Sequence, residues 1–494
     1  MNDPIDSYNN EPEPRPRLIR LKHFIILVVI CLIVPIAGAG WTDLYRNFLE
    51  RNPPVITAKE GLRGVGSFPV SIRFEVTDSG AGLDEIVVRM RQKTSVNELK
   101  RISPRGKKQE EVLIEFDGEK SGLSEGTAFL EIRAFDRSFW STPSEASMPI
   151  QVDFRKPRVE VLSTQHNARH GGAQLVFYKA YDENLAVSGI KVGSKAFLGF
   201  PASGLDKALS DQSLFAAVYA VGLDDSATLP VKVFAEDKVG NAISGTFYNK
   251  VAGRTQREIT LEISEQFLRE KIVGMAEQYR SKRQSGESSA PRDAENRQDN
   301  LLEDFKTANE KLRALNEAEI TSVLSKNLRN DAYWKEPFFR QMSKSILSFS
   351  DVVTFKYNGE SIGKYVNRGE DLVVTDERRE VLATNDGIVV LAEEVGVLGW
   401  TVAIDHGLGV ASLYSSLERP LVRRGIEVSR GQPIGIMGSS GFARQPHVHF
   451  EIRVQGVPVD PREWWEANWF YAHIIGKLND LKKALGIPVY MPLG

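Results

Sequence analysis

The sequence predicts a mainly β, multidomain chain. It should open on a single N-terminal transmembrane helix, pass through two β-sandwiches and a helical linker, and end in an antiparallel β domain. Three observations predict it: an uncharged run behind a basic cluster, period-two segments over residues 53–250 that echo one another about 100 residues apart, and glycine-punctuated strands from Phe338 onward. At 494 residues the chain exceeds a single core, and at about 150 residues per domain it holds about three. Apolar residues at 41% and charged residues at 26% are values of globular protein. A formal net charge of -2 gives no general attraction to nucleic acid, so no nucleic-acid partner is expected. The single cysteine, Cys31, excludes an intrachain disulfide and a cysteine zinc site.

The N-terminus sets the compartment. Residues 1–22 form a basic segment with Arg15, Arg17, Arg20 and Lys22, and residues 23–41 form an anchor or signal. The uncharged run Phe24 to Gly40 reaches about 25 Å as a helix, the short end of a membrane span. Trp41 follows where an interfacial aromatic would sit. The basic cluster belongs on the cytoplasmic side, which implies a single-pass protein of the inner membrane with its C-terminal bulk exported, periplasmic or extracellular. Pro35 and Ala37-Gly38-Ala39 also resemble a signal-peptide cleavage site, so a cleaved signal remains the alternative.

Alternation such as Val70-Ser71-Ile72-Arg73-Phe74-Glu75-Val76 marks half-buried strands. Asp78 to Ile86 is echoed by Asp182 to Ile190, and Ile132-Arg133-Ala134-Phe135-Asp136 by Val233-Phe234-Ala235-Glu236-Asp237. The interval is the size of one immunoglobulin sandwich, so residues 53–153 and 154–252 read as two Ig-like domains, loosely resembling the modules of bacterial surface proteins. One larger irregular β domain is the competing reading. Residues 255–337 read as a helical linker. Ile263, Phe267, Leu268 and Ile272 have helical spacing, as do Leu301, Phe305, Leu312 and Ile320. Between them, residues 281–300 are polar and charged and read as a flexible loop.

The C-terminal domain, residues 338–465, carries the chemistry. Strand-like segments Gly387 to Ala392, Trp400 to Gly407 and Val410 to Tyr414 are followed by Gly431-Gln432-Pro433-Ile434-Gly435, Gly438-Ser439-Ser440-Gly441 and Pro446-His447-Val448-His449-Phe450-Glu451. Gly456-Val457-Pro458-Val459-Asp460-Pro461 closes the series. This order resembles the lysostaphin-type (LytM-like) zinc endopeptidases, which cut the peptide crosslinks of peptidoglycan. The resemblance implies an antiparallel β lysostaphin-type peptidase fold over about a quarter of the chain.

The resemblance also implies a zinc site, and here the sequence departs from the pattern. The family's ligands fall on Asn367, in place of a His, on Asp371 and on His449. Its two non-ligand catalytic histidines fall on His447 and on Ser416, in place of a His. Tyr414, Gly438 and Ser439 are expected along the groove. A catalytic zinc needs three protein ligands and an open position for water. An amide oxygen is a poorer donor than imidazole for this metal, and a serine hydroxyl is no base near neutral pH. Among the seven histidines, His23, His166, His170, His406 and His473 fall outside the motif's ligand positions. No cofactor is therefore expected, and His447, His449 and Asp371 read as vestiges of a zinc site.

The leading expectation is an anchored, catalytically impaired peptidase-fold protein of the envelope, with peptidoglycan or a cell-wall hydrolase as its partner. The alternative is an active zinc endopeptidase cutting peptidoglycan crosslinks. A component of surface-polymer export is compatible with the anchor and the β modules, but no motif supports it. In the tail, residues 466–494, and just before it, Trp464, Trp465, Trp469, Phe470 and Tyr471 either pack on the domain or form a sugar- or partner-binding surface.

Overall fold

In Val70–Thr77 the alternation puts Ile72, Phe74 and Val76 inside and Ser71 and Arg73 outside. The computed structural model that shows this describes residues 51–59, 64–226, 228–283, 297–341 and 343–489. The expected segments 1–22 and 23–41 lie outside the described residues, as does most of the expected loop 281–300. Among the described residues no helix is long and apolar enough to cross a membrane. The chain divides into two units, one reaching to Arg155 with Val239–Asn241 added, the other comprising the remainder.

The first unit is a sandwich. A three-stranded sheet of Val55–Ala58, Val70–Thr77 and Gln109–Phe116 shares a core with a four-stranded sheet ordered Ser95–Ile102, Leu83–Gln92, Gly126–Asp136, Ser144–Val152. The second unit begins with another sandwich. One sheet is ordered Phe200–Pro201, Leu214–Ala220, Ala173–Tyr181, Arg158–Val161. The other is ordered Lys195–Leu198, Leu185–Val192, Val231–Asp237, Ala242–Thr246.

The sequence echo is a structural one. Leu83 pairs with Asp136 and Leu185 with Asp237, and in each sandwich a bulge follows that first pair. In each, an aspartate closes the preceding turn on backbone amides: Asp78 accepts from Gly80 and Gly82, and Asp182 from Asn184.

Where a helical linker was expected over 255–337, the chain first forms the strand Glu258–Glu262. It pairs in parallel with Val352–Tyr357, which pairs antiparallel with Glu360–Val366. Ser264 then caps a helix that runs Glu265–Phe267, widens into a π-turn at Leu268–Ile272 and continues as Val273–Arg283. A second helix runs Arg297–Lys306, a π-turn at Thr307–Leu312, then Arg313–Lys326. These helices are not a spacer. Leu268, Ile272, Phe305 and Leu312 are buried against Val353 and Phe355 of the small sheet, and Ile320 and Leu324 against Val390 and Leu413 of the next.

That next sheet has ten antiparallel strands, with the central order Ser343–Leu347, Glu370–Val374, Val448–Val454, Val410–Pro420, Gly399–Asp405, Gly387–Val395, Glu427–Val428. The expected tail adds helices Ala467–Phe470 and Gly476–Ala484. Trp464 and Phe470 are fully buried in a core shared with the second sandwich, Trp465 and Trp469 pack against it, and Tyr471 is exposed.

Candidate functional site

Three neighbouring strands bring most of the expected site residues together. His449, Glu451 and Arg453 alternate with Val448, Phe450 and Ile452 along Val448–Val454, and His447 precedes them in the same phase. Asp371 sits opposite His449 from one side and Ser415 from the other. His449 donates from Nδ1 to Asp371 Oδ1 at 2.7 Å and from Nε2 to Glu451 Oε1 at 2.7 Å. Burial pulls this imidazole toward neutrality, but Tyr365 and the two facing carboxylates outweigh it and raise its pKa well above the ordinary value. For Asp371, burial acts to raise the pKa, and the bond from His449 and the nearby His447 more than reverse it. His447 Nε2 lies 3.7 Å from Asp371 Oδ2, and its Nδ1 faces the Gln445 carbonyl at 2.8 Å.

Asn367 is fully buried in the turn leading to Asp371. Its Nδ2 donates to the carbonyls of Gly369 at 3.0 Å and Ser348 at 3.3 Å, and its Oδ1 accepts from the Tyr365 hydroxyl at 3.3 Å. The side chain is engaged on both atoms in holding the chain. Ser416 owes its place to a bulge. Pairing with Gly399–Asp405 jumps from Val402–Tyr414 to Trp400–Leu417, so Ser415 and Ser416 together oppose Thr401. Ser416 takes a left-handed φ of 62°, and both serines reach the site.

A chain of charges ties the site to the preceding helix. Arg453, itself buried, donates from Nε to Glu451 Oε2 at 2.5 Å and from its two terminal nitrogens to Glu317 at 2.7 and 2.9 Å. From the same helix Arg313 stacks over Tyr365 at 4.1 Å and Phe442 at 5.2 Å. Arg313, Tyr365, Asn367, Asp371, Ser416, His447 and His449 form the polar end of a cavity of about 370 Å³, and Glu451, Arg453 and Glu317 lie behind it. Its apolar walls include Ile259, Leu261, Phe355, Leu398 and Phe442.

The donor set does not fit the three-ligand zinc site that the resemblance implies. At the three ligand positions it offers one carboxylate, one imidazole with both nitrogens turned to carboxylates, and one amide bonded to the fold. The second imidazole of the cavity, His447, stands outside those positions with its Nδ1 at the Gln445 carbonyl. The other described histidines lie elsewhere. His406 is buried between the Asp386 carbonyl at 2.6 Å and Ser412 Oγ at 2.7 Å, and burial pushes its pKa down to about 4. His166 and His170 belong to the second sandwich, and His473 stacks on Trp469.

The expected groove residues need correction, because Tyr414, Gly438 and Ser439 do not line this cavity. Tyr414 precedes Ser415 on its strand and so points to the opposite face, where its hydroxyl accepts from the Thr384 amide at 2.7 Å. The Gly438 carbonyl is occupied by the His447 amide, and the Ser439 carbonyl by Lys271 Nζ. Conversely, the motif reading missed Arg313, Glu317 and the wall residues Ile259 and Leu261. Alternation in Glu258-Ile259-Thr260-Leu261-Glu262 was a signal for the strand; nothing local marks Arg313.

Residues 365–461 match the model of Peptidase family M23. Over 93 residues the chain is 42% identical to the murein hydrolase activator EnvC of Escherichia coli (strain K12), a match covering 19% of this chain and 22% of that protein. Over 80 residues it is 40% identical to the peptidoglycan DD-endopeptidase ShyA of Vibrio cholerae serotype O1, covering 16% and 19%. Over 99 residues it is 37% identical to the stage II sporulation protein Q of Bacillus subtilis (strain 168), covering 19% and 35%. The chain thus spans only about a fifth to a third of the length of these curated relatives. With the site's strands and motifs in the order the match requires, residues 365–461 are a peptidase family M23 domain of the LytM type.

Proposed function

We propose that this chain is a non-hydrolytic M23 module of the cell envelope, binding peptidoglycan or regulating a cell-wall hydrolase through its groove. In this reading residues 23–41 anchor it in the inner membrane, and the two sandwiches are Ig-like spacers. The observation that carries it is Asn367: the side chain at the first ligand position is bonded to the fold through both its amide nitrogen and its oxygen. Ser416 adds to it, because a hydroxyl there cannot take a proton from water at neutral pH. The relatives do not decide the matter. One is named an activator and another an endopeptidase, at similar identity. The second reading, a working zinc endopeptidase, draws on the retention of Asp371, His447 and His449 around one cavity.

One experiment separates them. Zinc content and affinity are measured on the purified full chain and on the double variant Asn367→His plus Ser416→His, together with cleavage of peptidoglycan. The expected result is no stoichiometric zinc in the native chain and a gain of zinc in the variant. One tight zinc per native chain with crosslink cleavage would establish the enzyme instead.

A further inference from the structure

We infer that Arg313 anchors the free carboxylate of a partner protein's C-terminus, whose last, large apolar side chain fills the cavity. This rests on the reading that the groove binds rather than cuts. It adds a residue outside the M23 match and a class of ligand.

Charge comes first. The cavity is lined by two guanidinium side chains, Arg313 and Arg444, and by one carboxylate, Asp371. Asp371 is already bonded to His449 at 2.7 Å. Arg313 Nε and Nη2 reach only the main-chain oxygen and Oδ1 of Asn309, at 3.2 and 3.3 Å, and among the described residues it forms no ion pair. Stacking on Tyr365 and Phe442 fixes its plane. A planar guanidinium held in place with donors to spare is suited to two-point recognition of a carboxylate.

The walls say what the carboxylate is attached to. Ile259, Leu261, Leu347, Leu398 and Phe442 remain only half-buried although they face one another across the cavity. A volume of about 370 Å³ is near the lower limit of ligand sites, so it admits the end of a chain rather than a folded segment. A stem peptide that ends in alanine offers only a methyl group, which leaves these walls largely uncovered. A terminal Leu, Ile or Phe covers them while its carboxylate reaches Arg313. Capture of a C-terminal carboxylate is an established mode of peptide recognition.

The test is calorimetric titration of the full chain with N-acetyl-Gly-Gly-Leu, its C-terminal amide, and N-acetyl-Lys-D-Ala-D-Ala. The acid should bind roughly ten-fold or more tighter than the amide, as expected of a charged hydrogen bond. Arg313→Gln should erase that preference, Arg313→Lys should keep part of it, and the D-Ala peptide should bind more weakly than the leucine acid. Equal binding of acid and amide overturns the inference. So does a preference that survives in Arg313→Gln. Should that variant unfold, the lysine variant and the acid–amide ratio of the native chain decide. Tighter binding of the D-Ala peptide assigns the cavity to peptidoglycan and also overturns it. Failure of every peptide while the chain co-sediments with purified sacculi sinks this inference and leaves the non-hydrolytic reading standing. Zinc-dependent cleavage sinks that reading itself.

Discussion

At the scale of residues, the site is a line of charges in which every member depends on its neighbour. Glu451 is buried and faces His449 on one side and Arg453 on the other. Removing one partner of a buried ion pair leaves a charge without compensation, at a cost of about 3–5 kcal/mol. Arg453→Met should therefore destabilise the chain by about that amount in urea unfolding. Glu317→Gln, at the partly exposed end of the line, should cost about 1 kcal/mol or less. A Glu317 effect as large as that of Arg453 would mean that the helix contact, not the buried charge, dominates. Part of this was legible beforehand. His447, His449, Glu451 and Arg453 recur every second residue, which places them on one face of a strand. Arg313 and Glu317 were not legible, because they reach the site from a helix far away in sequence and carry no motif. Nor was the bulge at Ser416, since Tyr414-Ser415-Ser416-Leu417 reads as an ordinary strand. Its consequence is that Ser416 joins Ser415 in the site, while Tyr414, expected in the groove, faces the other way by ordinary alternation.

At the scale of elements, the sandwich repeat could be read because turn and strand recur together, down to the bulge after Leu83 and after Leu185. The strand Glu258–Glu262 was lost among helical signals because its partner Val352–Tyr357 lies beyond both helices, and a parallel pairing leaves no hairpin turn to mark it. The short helix Pro461–Trp465 shows how one element fastens two others. Asp460 caps it, and Glu463 Oε2 accepts from the Ala173 amide of the second sandwich at 3.1 Å. Burial pushes the Glu463 pKa up to about 8, with Asp460 adding to it and the Ala173 bond opposing it. A carboxyl raised in the folded state stabilises it below the unfolded value, and that contribution is lost as pH rises through about 8. Lys477, which donates to Gln174 Oε1 and the Leu175 carbonyl, is pushed down to about 7 by burial and has the opposite slope above that pH. Comparing Glu463→Gln with the native chain isolates the first effect. The variant should match the native chain near pH 4, and near pH 9 it should be the more stable by several kcal/mol, since a rise from 4.5 to about 8 is worth about 5 kcal/mol in full. Parallel stability curves across that range would show that Glu463 is already ionised in the folded chain.

At the scale of the whole molecule, the M23 match ends well short of the compact unit that holds it. The matched domain shares a core with the second sandwich, through residues such as Phe177, Trp334, Phe338 and Trp464. Its outer sheet is covered by Ile320 and Leu324, and the small sheet by Leu268, Phe305 and Leu312. Arg254 pairs with Asp460 at 2.6 Å, and Lys482 with Asp206 at 2.8 Å, so the contact between the second sandwich and the C-terminal elements is polar as well as apolar. A fragment cut at the boundaries read from motifs, residues 338–465, would expose each of those apolar faces at once. It should melt without a cooperative transition and bind a hydrophobic dye. A fragment of residues 156–494 keeps all three cores and should unfold in one transition, with near-ultraviolet and far-ultraviolet signals coincident. Cooperative unfolding of 338–465 would show that the helices and the second sandwich are appended to a self-sufficient domain. In that case, a groove whose walls and arginine come from Glu258–Glu262 and Arg313–Lys326 would be an assembled site that can open without unfolding the sheet beneath it.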